Sequence, residues 1–299
     1  MDYRGAAVVY IGALQTETKG DWEAPYAAVA LLLLAAQAWR LAYDHAIGVR
    51  TAAAVGAFWG ISLLLAPAFA PVLGAWALLA AFRYSPRIYW SRLPVLAAAL
   101  ALVLAPWTLR NWRQLGSPVW GRSNFGLEFA VSNAAGAHWS NPLNRVVINA
   151  SHPLRNTAAA LEVRQQGEIA YNRGRLARSL QWVRENPKAF LVLTAQRFRH
   201  FWLPSQWWPL AAVQGVFVLL AAAGLYLLER EHRVLAWLIG SIWFAYPLVY
   251  YIIQWSSRYR TPMEWSLLLC AGVACDEVLR RLTARREIPE PVEAADVIF

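Results

Sequence analysis

Residues 203–228 read LPSQWWPLAAVQGVFVLLAAAGLYLL and contain no Asp, Glu, Lys or Arg. A helix needs about 20 predominantly apolar residues to cross the hydrocarbon core of a bilayer. Other blocks lack these charged residues as well, namely 24–39, 51–82, 93–109 and 234–257. The chain is 58% hydrophobic and only 15% charged, a balance that a water-soluble domain of 299 residues does not show. We therefore predict an all-α protein that crosses a membrane several times.

The block 51–82 is too long for one span. As a single helix it would be about 48 Å long at about 1.5 Å per residue, whereas the hydrocarbon core is about 30 Å thick. Pro67 and Pro71 lie in the middle of the block, and proline interrupts the hydrogen bonding of a helix. We therefore expect a tight hairpin of two short spans, at about 51–66 and 68–82.

The predicted spans number about seven and divide the chain into three parts and a tail. An N-terminal transmembrane bundle covers 1–109, an extracytoplasmic loop region with amphipathic helices covers 110–207, and a C-terminal bundle covers 208–281. Residues 282–299 form a predicted cytoplasmic tail. The remaining expected spans are about 24–43, 93–109, 208–228, 234–254 and 261–281.

The arginines determine the predicted orientation. With two spans in the block 51–82, the arginines in 40–50, 83–92, 229–233 and the tail all fall on one side of the membrane. Cytoplasmic loops carry an excess of Lys and Arg, so this side is assigned to the cytoplasm. The opposite side then receives residues 1–23, the tip near Pro67, the long loop and the turn 256–261.

The long loop has a mixed composition. Gly, Ser, Asn and Pro dominate 116–156, which predicts irregular structure with a short strand at 146–149. Residues 157–185 have a helical composition. Asn186 and Pro187 suit the cap and the first turn of a further helix that runs to about residue 202. This helix mixes aromatic and basic residues, so we expect it to lie along the membrane surface.

The net charge of +10 does not indicate a nucleic-acid partner. Nucleic-acid binding requires a basic face on a polar domain, whereas these arginines lie mainly between apolar blocks. Their pattern fits topology signals and contacts with lipid head groups. Cys270 and Cys275, with the five scattered histidines, indicate neither a disulfide framework nor a zinc site.

The sharpest local signal is PWTLRN at 106–111, where a predicted span ends on the extracytoplasmic side. This segment presents Arg110 and Asn111 at the depth of the lipid head groups. A guanidinium in that position can form paired hydrogen bonds to a phosphate. The alternative is an ordinary interface anchor built from an aromatic residue and an arginine.

A second basic segment, SRYRTP at 257–262, occupies the short extracytoplasmic turn before the last predicted span. Arg258 and Arg260 flank Tyr259 there, although the positive-inside rule disfavours arginine on this side. An anionic ligand such as a lipid-linked phosphate explains their placement.

An acidic segment, TETKGDWE at 16–23, is expected on the same side. Glu17 or Asp21 could act as a general base toward a hydroxyl group or hold a divalent cation. The alternative is that these carboxylates stabilise the N-terminus of the following helix.

Taken in chain order, TET at 16–18, PWTLRN at 106–111 and RYRTP at 258–262 resemble motifs of the GT-C superfamily of membrane glycosyltransferases, in particular its aminoarabinose transferases and protein O-mannosyltransferases. Two shorter phrases are also similar to family patterns, SNAAG at 132–136 and RENP at 184–187. The resemblance covers nearly the whole chain. It implies a polytopic enzyme of the bacterial inner membrane with its site on the extracytoplasmic face.

The resemblance also implies a reaction and roles for particular residues. The donor is a sugar linked to dolichyl or undecaprenyl phosphate, and the acceptor is an extracytoplasmic lipid, glycan or protein. Arg110, Arg258 and Arg260 are implied ligands of the donor phosphate, and Glu17 is an implied helper in catalysis or cation binding. The resemblance does not identify a cofactor, and it leaves open whether a divalent cation is bound. Further site candidates are Asn111, Asn133, Tyr259 and Asp21.

One departure from the family pattern changes the expected activity. The family uses an aspartate in its first extracytoplasmic loop as the base, and residue 1 of this chain corresponds to a point near the end of the family's third or fourth helix. We therefore expect residues 1–299 alone to be inactive. The alternative function is that of a non-catalytic polyprenyl-phosphate-binding or transporter-like membrane protein, although the inverted repeats typical of many transporters are not visible.

Overall fold

The computed structural model describes residues 23–43, 47–83 and 86–284, and the regular secondary structure of these residues is helical. Short 3-10 turns cover Pro67–Phe69, Ser257–Tyr259 and Thr261–Met263. The α-helices are α1 (Glu23–Tyr43), α2 (Val49–Leu65), α3 (Ala70–Arg83), α4 (Pro86–Leu115), α5 (Phe125–Ser132), α6 (Arg145–Ser151), α7 (Thr157–Gln166), α8 (Glu168–Glu185), α9 (Pro187–Trp202), α10 (Trp208–Glu231), α11 (Arg233–Ala245), α12 (Leu248–Ile252) and α13 (Glu264–Ala284).

Four helical segments in the described residues are long and apolar enough to cross a membrane, namely Glu23–Tyr43, Tyr89–Leu115, Trp208–Glu231 and Arg233–Ile252. Two shorter apolar helices cover Val49–Leu65 and Pro67–Phe82. The prediction of an all-α membrane protein is confirmed at this level.

The predicted break in the block 51–82 lies where the prolines place it. Helix α2 ends at Leu65, Ala66 is extended, and Pro67 begins the 3-10 turn that leads into α3. The two halves do not form a tight hairpin, because α2 packs along α4 whereas α3 packs on α11. Gly56 permits the contact with α4, since a Cβ there would overlap the Leu96 carbonyl oxygen.

The apolar core lies between the spans. Leu31 and Leu34 of α1 are fully buried and face a cluster that includes Ile239 and Ile242 of α11. Helices α10 and α13 pack closely at Gly224, where a Cβ would overlap the Cys270 carbonyl oxygen. This core holds α1, α11 and α13 together.

The helix ends differ from several predicted span boundaries. The segment 93–109 is part of the longer helix α4, which continues through Pro106 to Leu115. The segment 234–254 is divided between α11 and α12. The segment 261–281 begins with a 3-10 turn and continues as α13 to Ala284.

The loop region 110–207 is more helical than its composition predicts. The expected irregular segment 116–156 contains α5 and α6, and the strand expected at 146–149 is wrong because these residues belong to α6. The Ile148 amide donates to the Asn144 carbonyl at 3.1 Å, as in the first turn of a helix. Val146 is 81% exposed, so no packed sheet face holds this segment extended.

Helices α5, α7 and α8 build a second, smaller core in the loop region, around Leu127, Val131, Ala159 and Tyr171. The helix expected over 157–185 is interrupted at Gly167, whose φ of 83° ends α7 and starts α8. Helix α9 begins after Asn186 as predicted, but the Asn186 side-chain amide donates to the Trp182 carbonyl at 3.0 Å. Its position along a membrane surface stays a prediction.

Candidate functional site: two cavities with a common wall

Two cavities meet at the turn that precedes α13. The first, which we call the membrane-side cleft, has a volume of about 440 Å³ and lies between the start of α1, the turn after α2, α5, α12 and the turn 258–262. The second, which we call the outer chamber, has a volume of about 850 Å³ and lies beside α5, α6 and residues 254–259. Glu128, Arg258 and Tyr259 line both cavities and form their shared wall.

The membrane-side cleft is amphipathic. Its apolar lining includes Ala27, Leu65 and Val249, and its charged groups are Glu23, Arg122, Glu128 and Arg258. The guanidinium of Arg122 donates from Nη2 to Glu23 Oε2 at 2.5 Å, and both side chains are about half exposed. An apolar volume edged by guanidinium groups suits a lipid that ends in a phosphate.

The outer chamber is polar and mainly basic. It is lined by Arg145, Arg155 and Arg258 together with His152, whereas Glu128 is the only carboxylate among its described lining residues. Arg145 and Arg155 are exposed, and no ion pair within the described part of the chain includes them. The chamber can therefore receive a polar molecule.

The turn that carries the shared wall is tied to the loop region by hydrogen bonds. The Gln254 amide donates to Ser132 Oγ at 2.7 Å, and the Trp255 amide donates to the Trp139 carbonyl at 2.7 Å. The Asn141 amide donates in turn to the Trp255 carbonyl at 3.0 Å. These bonds fix the position of the following residues Arg258 and Tyr259, which belong to the shared wall.

Arg258 and Tyr259 occupy the shared wall together. The Arg258 guanidinium lies 5.3 Å from the Tyr259 ring centroid, within the range of a cation–π contact. The Tyr259 ring stacks on Tyr250 with a centroid distance of 4.3 Å. Burial raises the pKa of Tyr259, and the nearby Arg258 opposes this shift. Tyr259 therefore keeps its hydroxyl proton at neutral pH.

Arg260 lies outside both cavities, although it was predicted to act beside Arg258. Its side chain is only 7% exposed, and its Nε lies 2.5 Å from Glu264 Oε1. Its Nη1 donates to the Trp202 carbonyl at 2.7 Å, at the end of α9. These contacts give Arg260 a packing role between α9 and α13.

Arg110 and Asn111 also lie away from the shared wall. Arg110 is exposed, lies 4.9 Å from the Trp107 ring centroid and donates to Asn111 Oδ1 at 2.9 Å. Asn111 is 3% exposed, and its side-chain amide donates to the Val119 carbonyl at 2.7 Å. Asn111 therefore anchors the chain that follows α4, and neither residue lines the two cavities.

Asn133 is fully buried behind the site. Its side-chain amide donates to the Ile252 carbonyl at 2.8 Å, and its Oδ1 accepts from Arg197 Nη1 at 3.0 Å. Arg197 is also fully buried and donates to the Ser132 carbonyl, and burial lowers its pKa to about 10. Asn133 thus joins α5, α9 and the end of α12, and it positions the shared wall from behind.

The acidic candidates are not placed by the structure. Glu17 and Asp21 lie outside the described residues. Within the described ranges, no group of three or more His, Cys, Asp or Glu side chains could hold a metal ion. A divalent cation at the acidic segment stays a prediction.

Sequence reasoning missed Arg122 and Glu128, which line the cleft. Glu128 did carry a signal, because it is the only Asp or Glu between residues 45 and 161. A single carboxylate in so long an acid-free stretch, on the side predicted to face away from the cytoplasm, was a candidate for a specific role. Arg122 has no comparable signal.

The chain matches no protein-family model, no curated protein and no solved structure.

Proposed function

We propose that this chain is a membrane glycosyltransferase of the GT-C type. It takes a sugar from a polyprenyl-phosphate donor held in the membrane-side cleft and passes it to an acceptor held in the outer chamber. One observation carries the proposal, namely that Glu128, Arg258 and Tyr259 line both cavities. Transfer between a lipid and an external molecule requires two binding spaces that meet at the reacting groups.

The cleft supports the donor half of the proposal. Its apolar lining accommodates the first isoprene units, and Arg258 and Arg122 offer donors to the phosphate. Arg122 already binds a carboxylate, Glu23, at 2.5 Å. A phosphate can replace that carboxylate because the pair is half exposed and therefore weak.

The shared wall supports the chemical step. The acceptor hydroxyl oxygen attacks the anomeric carbon, the bond from this carbon to the phosphate oxygen breaks, and the electron pair leaves with the phosphate. Arg258 stabilises the negative charge that develops on that phosphate. Glu128 accepts the acceptor's proton as general base. With Glu128 in this role, residues 1–299 are active, contrary to the expectation drawn from the family resemblance. Attack from the face opposite the leaving phosphate inverts the anomeric centre.

The proposed topology completes the predicted set of about seven spans. The two shorter apolar helices α2 and α3, together with α13, are added as spans to the four long apolar segments. Both cavities then open on the extracytoplasmic side of a bacterial inner membrane, since the arginine-rich connections remain in the cytoplasm. The acceptor class, whether lipid, glycan or protein, follows from access through the outer chamber.

A non-catalytic polyprenyl-phosphate-binding protein is the second candidate. It is favoured by the position of the predicted arginines, because only Arg258 of the three lines the cleft. Such a protein uses the cleft but leaves the donor intact. The role of Glu128 separates the two candidates, since binding does not require a base.

Undecaprenyl phosphate binding to the purified chain in nanodiscs tests the donor site. We expect Arg258→Gln to weaken binding about tenfold, which corresponds to about 1.4 kcal/mol. Arg110→Gln is the matched control, because Arg110 is exposed but lines neither cavity. Equal affinity of the Arg258 variant and the parent chain refutes the phosphate site.

Release of undecaprenyl phosphate from undecaprenyl-phosphate-linked aminoarabinose or mannose, with water supplying the attacking hydroxyl in place of the acceptor, tests catalysis. We expect Glu128→Gln to retain donor binding and to lose release by about a hundredfold or more, the usual range for a general base. Binding without release by the parent chain supports the non-catalytic candidate. Release that is unchanged in Glu128→Gln excludes Glu128 as the base.

A further inference from the structure

A third cavity lies at the other end of the helix bundle. The membrane-side cleft is lined by the first residues of α1, such as Ala24 and Ala27, whereas this cavity is lined by Ala38 and Ala42 near the end of α1. It has a volume of about 220 Å³ and also contacts α2, α3, α4 and α11. We call it the basal cavity. It is separate from the shared wall and has no part in the proposed transfer.

The basal cavity is apolar except at one residue. Its lining includes Trp59, Trp76 and Leu96, and Arg92 is the only charged residue among its described lining residues. The indole nitrogen of Trp76 donates to Ser241 Oγ at 2.7 Å, so its polar atom is already satisfied. Such a lining excludes water and suits a hydrocarbon chain.

Arg92 is held in place at this cavity. Its Nε donates to the Ile47 carbonyl at 2.7 Å, which fixes the guanidinium beside the connection between α1 and α2. Two further nitrogens of the same group can bind a phosphate. The hydrogen bond to Ile47 therefore orients a cation over an apolar volume.

The surroundings of the cavity are basic as well. Arg233 lies 4.8 Å from the ring centroid of Trp237, and Trp237 lines the cavity. Arg233 pairs with Glu229 at 3.1 Å, while Arg50 and Arg87 are exposed near the same ends of the helices. This excess of positive charge disfavours a zwitterionic head group relative to an anionic one.

We infer that the basal cavity binds an anionic glycerophospholipid, with one acyl chain among Trp59, Trp76 and Leu96 and the phosphate on Arg92. Phe82, which is 86% exposed, and the half-exposed Trp237 mark the side on which the acyl chain enters the cavity from the bilayer. Filling this space joins α2, α3 and α11 through a bound lipid. The site is independent of the proposed glycosyl transfer.

Native mass spectrometry of the purified chain with phosphatidylglycerol or phosphatidylcholine tests this site. We expect the parent chain to retain about tenfold more phosphatidylglycerol, which corresponds to about 1.4 kcal/mol. Arg92→Gln should lose this preference, and Arg92→Lys should keep most of it. Arg50→Gln is the matched control, because Arg50 is exposed at the same end but does not line the cavity.

A variant that fills the cavity tests the acyl-chain position. Ala80→Phe should reduce retained phosphatidylglycerol about tenfold. Ala98→Phe, on the exposed side of α4, is the control and should not reduce it, because Ala80 lines the cavity and Ala98 does not. If Ala80→Phe does not fold, quenching of tryptophan emission by phosphatidylglycerol with brominated chains replaces it, and Trp59→Phe should reduce the quenched fraction. Equal retention of the two lipids by the parent chain overturns the lipid site, and so do equal losses of phosphatidylglycerol in the Arg50 and Arg92 variants. Loss of undecaprenyl phosphate rather than phosphatidylglycerol in Ala80→Phe also overturns it.

Discussion

The side-chain amide of Asn144 donates a hydrogen bond to Gln254 Oε1 at 2.9 Å, across 110 residues of sequence. The same amide donates to the Val131 carbonyl at 2.5 Å, and Asn144 Oδ1 accepts from the His138 amide at 3.0 Å. Asn144 is 1% exposed. One buried side chain therefore connects α5, the start of α6 and the segment that leads to the shared wall.

Replacement of Asn144 by leucine should weaken both the fold and the site. The substitution keeps the branched shape of the side chain but leaves several buried polar groups without partners, at a total cost of about 3 kcal/mol. We expect a lower midpoint of thermal unfolding in detergent, together with weaker binding of undecaprenyl phosphate, because the turn with Arg258 loses its support. Asn149→Leu, at an exposed position of the same helix, is the control. Unchanged unfolding of the Asn144 variant contradicts the connection.

Stability should fall when the pH is lowered through the ordinary range of histidine. His200 is 4% exposed and stacks on Trp139 with a centroid distance of 3.6 Å. Burial, and then the charge of Arg199, lower the pKa of His200 below its ordinary value of 6.5. The unfolded chain then binds a proton that the folded chain resists, so the free energy of unfolding decreases as the pH falls below 6.5.

Thermal unfolding between about pH 5 and 7.5 measures this dependence, a window set by the ordinary pKa of histidine. We expect His200→Phe to flatten the pH profile, because a phenyl ring keeps the stacking on Trp139 and has no proton to bind. His232→Phe, at an exposed position after α10, is the control that keeps the parent profile. A parent profile without a slope in this window argues against the lowered pKa.

The contact between α10 and α13 should depend on the absence of one side chain. Gly224→Ala places a Cβ on the Cys270 carbonyl, which is backbone and cannot rotate away, so the helices must separate. We expect a destabilisation of about 2 kcal/mol, typical of an overpacked interior. Gly272→Ala, on the same pair of helices, meets no atom within 4 Å and should leave the unfolding midpoint unchanged or raise it. Equal midpoints for the two variants rule out the close approach.

Arg258 and Arg260 should differ in what their loss affects. Arg260 is buried between Glu264 and the end of α9, so Arg260→Leu leaves a carboxylate and two carbonyl groups with fewer partners. We expect a loss of stability of about 3 kcal/mol for this variant. Arg258→Gln should change undecaprenyl phosphate affinity while the unfolding midpoint stays near that of the parent. Loss of affinity without loss of stability in the Arg260 variant reverses this assignment.

The four candidate spans could be predicted from sequence because the requirement of a bilayer is local. Around 20 apolar residues in succession identify a candidate without any knowledge of what packs on it. The break at Pro67 is local for the same reason, since proline lacks the donor that a helix needs. The helices on which α2 and α3 pack could not be predicted in this way, because that packing depends on close contacts such as that of Gly56 with Leu96.

The site was less predictable because burial direction depends on tertiary packing. Arg258 and Arg260 are two residues apart and chemically identical, yet one lines two cavities and the other is enclosed against Glu264. Glu128 joins Arg258 only because α5 and the turn before α13 meet in space. The strand expected at 146–149 failed similarly, since β-branched residues favour a strand only where a neighbouring strand is present.

The ion pair between Glu23 and Arg122 gives the membrane-side cleft a competitive character. Its carboxylate belongs to the first turn of α1, whereas its guanidinium belongs to the loop region. A lipid phosphate that takes the place of Glu23 on Arg122 loads the cleft by exchanging one anion for another. The exchange breaks this contact between the first turn of α1 and the loop region, so binding of the lipid loosens the attachment of α1 to the loop region.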